Sequence, residues 1–130
     1  IGLALRVPGA TTPEGFWQLL AEGRSAIGPL PRGRRSDAPG SPNRFGPAGY
    51  LDDVARFDAE RFHVSPREAR LMDPAQRLFL EVAHEAIERA GYRPEQLAGI
   101  GGRTGVYVGA GPSAYAPLLA QAWSSHRLVV

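Results

Sequence analysis

The chain has 130 residues and a mass of 14.0 kDa, 43% hydrophobic and 22% charged, with 16 Gly, 12 Pro and no Cys. One domain is the natural reading, and a disulfide-held mini-protein is excluded. Fifteen Arg against 13 acidic residues leave a net charge of only +2, so a pI of 9.5 does not imply nucleic acid, and with no membrane-length apolar run and no signal peptide a cytoplasmic protein is expected.

Ile1 to Leu5 is a short apolar run closed by Arg6 and a Pro8-Gly9 turn signal, which reads as a buried strand already under way at Ile1. Thr12 followed by Pro13 is an N-cap and first-turn pair, and Gly23 a stop, so a helix of about three turns is predicted between them. Phe16, Leu19 and Leu20 share one of its faces, with Trp17 beside them.

From Gly28 to Gly49 lie five Pro, five Gly and the Arg32, Arg34, Arg35 cluster, with neither a helical nor a strand period. Residues 24–49 are therefore expected to form a long irregular surface loop.

Ser65-Pro66-Arg67-Glu68 is a capping box with proline at the first helical position, predicting a short helix to about Leu71. Asp73-Pro74 repeats the signal, and Leu78, Phe79, Val82, Ala83, Ala86, Ile87 and Ala90 hold helical spacing up to Gly91. The predicted helix is roughly 25 Å long, with Glu85 and Arg89 paired on its outer face. Thr104 to Val108 reads as a second buried strand, followed by a Gly109-Ala110-Gly111 loop and a helix over about 113–123 that Pro117 weakens.

Three constellations carry possible chemistry. Gly109-x-Gly111-x-x-Ala114 fits a relaxed dinucleotide fingerprint, but no acidic residue follows Glu95 to hold a ribose. A tight turn in which small residues approach other backbone is the simpler reading. Glu60-x-x-His63 and Glu81-x-x-His84 have the spacing of di-iron helical bundles, yet His63 sits at a helix boundary and the two further Glu-bearing helices are missing, so no metal site is expected. Without Cys or a Gly-x-Ser-x-Gly elbow, no catalytic residue can be assigned.

Longer strings resemble a known family. Val7-Pro8-Gly9-Ala10, Phe16-Trp17-Gln18-Leu19-Leu20 and Gly23-Arg24-Ser25-Ala26-Ile27 are similar to the opening of β-ketoacyl synthase domains of modular polyketide synthases. Ser65-Pro66-Arg67-Glu68-Ala69, Met72-Asp73-Pro74-Ala75-Gln76-Arg77 and Arg103-Thr104-Gly105-Val106-Tyr107-Val108-Gly109 follow in family order, so that the resemblance covers about residues 1–116. Family members often carry an aromatic residue where Val7 stands, Gly where His63 stands and Trp where His84 stands, and the tail over 120–130 diverges.

The resemblance implies an α/β fold, the N-terminal portion of a thiolase-like αβαβα sandwich, incomplete in this chain, with residues 1–130 a partial ketosynthase N-terminal domain. It implies acyl transfer from the phosphopantetheine of an acyl carrier protein to an active-site Cys, then decarboxylative condensation with a malonyl-type extender. That Cys and two His belong to motifs downstream of the matched region, and His63, His84 and His126 do not occupy them. No cofactor is expected to bind directly. The implied partners are the carrier protein, the rest of the ketosynthase with its neighbouring synthase domains, and a second copy in a homodimer. Gly109, Ala110, Gly111 and Pro112 would lie at the acyl-cavity wall. Two alternatives are a non-catalytic, degenerate ketosynthase module that binds a carrier protein or partner subunit, and a small nucleotide-binding α/β domain.

An apolar helix and strands without their partner layers should not make a stable monomer. The isolated 130-residue chain is expected to self-associate and to melt broadly; a monomeric species with a sharp thermal transition, seen by light scattering and calorimetry, would contradict this.

Overall fold

Three of the four proline-led helices among the described residues begin at a side-chain cap that the sequence announces. The computed structural model describes residues 1–34, 45–97, 99, 104–113, 115, 117 and 119–120. Helix α1 spans Pro13–Ala21, with Thr12 Oγ1 accepting from the Gly15 amide at 3.1 Å. Helix α2 spans Pro66–Leu71, where Ser65 Oγ accepts from the Glu68 amide at 3.2 Å. Helix α3 spans Pro74–Arg89, capped by Asp73 Oδ1, which accepts from the Ala75 amide at 2.8 Å. Each cap satisfies one of the amides that a helix start leaves without an intrahelical partner. Sixteen residues make α3 about 24 Å long, close to expectation. It ends at Ala90 and Gly91, whose φ of +85° is the left-handed conformation glycine adopts without penalty.

The Pro8-Gly9 signal is realised as a β-turn. The Val7 amide donates to Ala10 O at 3.0 Å, the Ala10 amide donates back at 3.1 Å, and Gly9 takes a φ of +77°. A short antiparallel ladder was not legible in advance. Strand β1 (Ile27–Gly28) pairs with β2 (Ala48–Gly49), in register Ile27 with Gly49 and Gly28 with Ala48. Two residues per strand are too few to leave a period, yet they draw together the two ends of the long loop. Within that loop Arg32–Arg34 form a 3₁₀ turn, and Arg34 donates to Leu51 O at 3.3 Å while lying over the Tyr50 ring at 5.8 Å. Arg34 is thus held by local structure; Arg35 lies outside the described residues, as do 36–44. A one-turn helix α4, Pro94–Leu97, adds contacts to α3.

Both expected buried strands are corrected. Neither residues 1–5 nor 104–108 join a ladder among the described residues, and Val106, Tyr107 and Val108 are 74%, 98% and 57% exposed. A β-rich composition makes a strand only where a neighbour accepts its hydrogen bonds, and no described segment lies alongside to do so. Residues 1–5 instead approach α3. A Cβ on Gly2 would lie 1.7 Å from Ala86 O and 2.7 Å from the Ala90 amide nitrogen, so only glycine permits this approach. Of the helix expected over 113–123, one turn is described, the Leu119 amide donating to Tyr115 O at 3.1 Å. Residues 114, 116, 118 and 121–130, which include His126 and most of the divergent tail, lie outside the described residues.

The described core is thin. Ala10, Leu19, Leu30 and Ala69 are its buried apolar residues, whereas α3 buries none and Trp17 and Leu20 of α1 are exposed. Residues 57–64 form a compact series of turns, in which the Phe57 and Phe62 rings stack at 5.3 Å and Phe62 meets His84 of α3 edge-on at 5.9 Å. His63 closes these turns with a φ of +53°, the only non-glycine described in the left-handed region. That conformation is one that glycine adopts without penalty.

A side chain in this conformation costs about 1 kcal/mol, part of which glycine returns as unfolded-chain entropy. His63→Gly in a folded protein that includes this sequence should therefore raise stability by about 0.5 kcal/mol, read as a higher denaturant midpoint. A lower midpoint would contradict the strain.

Candidate functional site

The chemistry-bearing residues fall on two sides of α3. On one side Arg6 reaches from the N-terminal segment, its Nη1 donating to Glu85 Oε2 at 2.7 Å and to the carbonyls of Leu5 at 2.9 Å and Thr11 at 3.1 Å. Arg89 Nε donates to Glu85 Oε1 at 2.9 Å, the predicted helical pair, and Arg89 Nη1 lies 3.6 Å from Glu14 of α1. Burial acts to raise the Glu85 carboxyl, but the hydrogen bonds from Arg6 and Arg89 outweigh it and hold the group below its ordinary 4.5.

Beside this clamp lies a charged cleft of about 330 Å³ lined by residues that include Arg61, Glu81, His84 and Glu88. Arg61 Nε donates to His84 Nε2 at 3.1 Å and its Nη2 to Glu88 Oε1 at 2.9 Å. The His84 Nε2 lone pair thus faces a guanidinium, which can only donate. The other spaced pair meets through backbone, the His63 amide donating to Glu60 O at 3.0 Å. These pairs are structural ties.

The second side is apolar. A groove of about 970 Å³ is lined by Met72, by Leu78, Phe79 and Val82 of α3 and by residues 108–113, with Arg6, Asp73 and Gln76 at its polar margin. All four residues singled out in the sequence, Gly109, Ala110, Gly111 and Pro112, are among its lining. The described residues bear on the simpler reading of the glycines only locally. Neither takes a positive φ, and a Cβ added to Gly109 or Gly111 would meet nothing within 4 Å. Among the described residues no other backbone comes close to either glycine, and both border the groove. A dinucleotide fingerprint also lacks its setting, because residues 104–108 form no strand among the described residues and Ala114 lies outside them.

What holds the segment to α3 escaped the sequence reading. Ser113 Oγ donates to Asp73 Oδ2 and accepts from the Tyr115 amide at 3.1 Å, while the Tyr115 hydroxyl donates to Arg70 O at 3.0 Å. Asp73 was identifiable as a cap, but nothing local in sequence signals that a serine 40 residues away shares its carboxylate.

The sequence matches the family model described as "Beta-ketoacyl synthase, N-terminal domain" over residues 1–128. It is 46% identical over 129 residues to the spectinabilin polyketide synthase system protein NorC of Streptomyces orinoci, a match covering 92% of this chain and 6% of that protein. To polyketide synthase GfsB of Streptomyces halstedii it is 48% identical over 125 residues, covering 88% of this chain and 2% of that one. Among solved structures it resembles the ketosynthase from module 6 of the bacillaene synthase of Bacillus subtilis 168, with a TM-score of 0.63 and 36% identity over 75% of this chain and 17% of that one.

The chain belongs to the beta-ketoacyl synthase family, and its fold is an N-terminal portion of the thiolase-like ketosynthase fold. It corresponds to part of a polyketide synthase ketosynthase domain, and it spans only 2% and 6% of the two curated relatives named above. None of the described helices is long and apolar enough to cross a membrane.

Asp73 supplies a pH test of the tether. Its carboxyl is held below its ordinary 3.8, first by the Ser113 hydroxyl and then by the Ala75 amide, with burial opposing them. A carboxyl depressed in the folded state contributes above its ordinary value and loses that contribution as pH falls through the depressed one. Amide shifts of Ser113 and Tyr115 in a labelled ketosynthase domain should hold steady around neutral pH and move in acid with a midpoint below 3.8. Movement centred well above 3.8 would contradict the tie.

Proposed function

We propose that this chain forms one wall of the acyl-binding cavity of a condensing enzyme, in which Gly109, Ala110, Gly111 and Pro112 border the space taken by the growing acyl chain. The reaction is acyl transfer from a carrier-protein phosphopantetheine thioester to a cysteine supplied by another part of the ketosynthase, then decarboxylative Claisen condensation with a malonyl-type extender. This chain has no Cys, so the thiolate that attacks the thioester must come from elsewhere. The donors that stabilise the oxyanion and enolate lie on residues beyond those matched here. Its own share is shape and polarity: an apolar groove that excludes water from a hydrocarbon chain, beside an α3 fixed in place by Arg6 and Gly2.

The observation that supports this reading is that Gly109 and Gly111 border the groove with no positive φ and, among the described residues, nothing within 4 Å of an added Cβ. The proposed partners are an acyl carrier protein, which presents the thioester, the remaining ketosynthase and neighbouring synthase domains, and a second copy in a homodimer. The proposed setting is the cytoplasm, where such carrier-bound substrates are made.

The test is steric. Gly111→Val in a ketosynthase domain that includes this sequence adds its methyl groups to open space, so the fold should tolerate it. Loading of a long acyl thioester onto the active-site cysteine, followed by intact-protein mass, should fall by about tenfold or more while an acetyl-sized group still loads. Unchanged loading of both would overturn the reading.

A further inference from the structure

On the polar side of α3, away from the acyl groove, His84 is held by groups from two directions. From the turns over 57–64, Arg61 Nε donates to His84 Nε2 at 3.1 Å, Arg61 Nη2 also contacts that nitrogen, and the Phe62 ring meets the imidazole edge-on at 5.9 Å. From α3, Glu88 Oε1 lies 2.9 Å from Arg61 Nη2 and 3.2 Å from His84 Nε2, so one carboxylate oxygen is within reach of both. The charged groups lining the same cleft are Arg6 from the N-terminal segment, Asp58 and Arg61 from the turns, and Glu81, Glu85 and Glu88 from α3.

This geometry holds in one protonation state only. A guanidinium can only donate, so Arg61 binds His84 while Nε2 keeps its lone pair and the ring proton sits on Nδ1. A proton on Nε2 removes the acceptor and sets a like charge against the guanidinium, and the new N–H faces Glu88 Oε1. Of the side-chain types lining the cleft, imidazole is the one whose charge ordinarily changes between pH 8 and 5.

From this we infer that Arg61, His84 and Glu88 form a proton-operated latch between the turns over 57–64 and α3: neutral His84 holds Arg61, whereas protonated His84 takes Glu88 and releases Arg61. The latch is closed at the alkaline end and opens as pH falls, because its closed form needs the unprotonated ring. It is independent of the acyl-wall reading. What opens is local. The turns keep their own backbone bonds, the His63 amide to Glu60 O at 3.0 Å and the Val64 amide to Ala59 O at 2.9 Å, but lose a side-chain tie that fastens them to the helix. Those bonds then break more often, and exchange of the two amides with solvent reports it.

The experiment measures hydrogen exchange at the His63 and Val64 amides at pH 8 and pH 5 in a ketosynthase domain that includes this sequence, each rate divided by that of an unstructured peptide at the same pH. Protection should fall by about fivefold or more from pH 8 to pH 5, the scale of one charged contact between partly exposed groups. The Glu22 amide, bonded to Gln18 O in α1, should keep its protection. His84→Gln, whose side chain stays neutral, should remove the pH dependence. Arg61→Gln, with no guanidinium to release, should show the low protection at both pH values. His63→Gly, which removes the other imidazole of these turns, should leave the pH dependence at Val64 intact. Equal protection at both pH values in the unaltered protein, a pH dependence that survives His84→Gln, or one that vanishes with His63→Gly would overturn the latch. So would a fall shared by Glu22, which is acid unfolding of the whole. A pH dependence that persists in Arg61→Gln would overturn it whether or not the His84 variant folds.

Discussion

Helix α3 is amphipathic yet buries none of its own residues, so its position depends on what is pinned to it. The principal pin is the Arg6–Glu85–Arg89 group, which joins the N-terminal segment to the helix at 2.7 Å and 2.9 Å and reaches Glu14 of α1 at 3.6 Å. Partly exposed pairs of this kind are worth on the order of 1 kcal/mol each. Their effect is geometric as much as energetic, because Arg6 also binds the carbonyls of Leu5 and Thr11 and so holds the chain on either side of the Pro8-Gly9 turn. Gly2 completes the attachment by letting backbone meet backbone at Ala86.

The sequence of α3 divides its surface. Glu81, His84, Glu85 and Glu88 recur at helical spacing and line the charged cleft, whereas Ala75, Leu78, Phe79 and Val82 repeat the same spacing and line the apolar groove. At 100° per residue the two stripes lie about a third of a turn apart. One helix therefore offers a polar side where arginines hold neighbouring segments and an apolar side that, on the proposed reading, faces a hydrocarbon chain. Asp73 stands at the start of the second side, capping the helix and fastening Ser113.

Local chemistry was legible in the sequence wherever it acted over a few residues. Thr12, Ser65 and Asp73, each followed by proline, marked helix starts to the residue, and Gly23 and Gly91 marked ends, because capping is a matter of neighbours. Strands at 1–5 and 104–108 are not formed among the described residues because composition reports only fitness for a ladder, and the ladder needs a partner. The β1–β2 pair was missed for the opposite reason, being too short to carry a pattern. Gly2 and Ser113 owe their roles to residues more than 35 positions away, which no periodicity can reveal. The family was readable from the ordered strings around Met72-Asp73-Pro74, and the same residues build the α2–α3 junction that lines the groove.

The most direct measurement is a crystal structure of the ketosynthase domain that includes this sequence, trapped as its acyl-enzyme. The account predicts acyl carbons in van der Waals contact with Gly109 to Pro112 on one side and with Phe79 or Met72 on the other. A groove filled by protein side chains from elsewhere in the domain, with the acyl chain running away from α3, would contradict it.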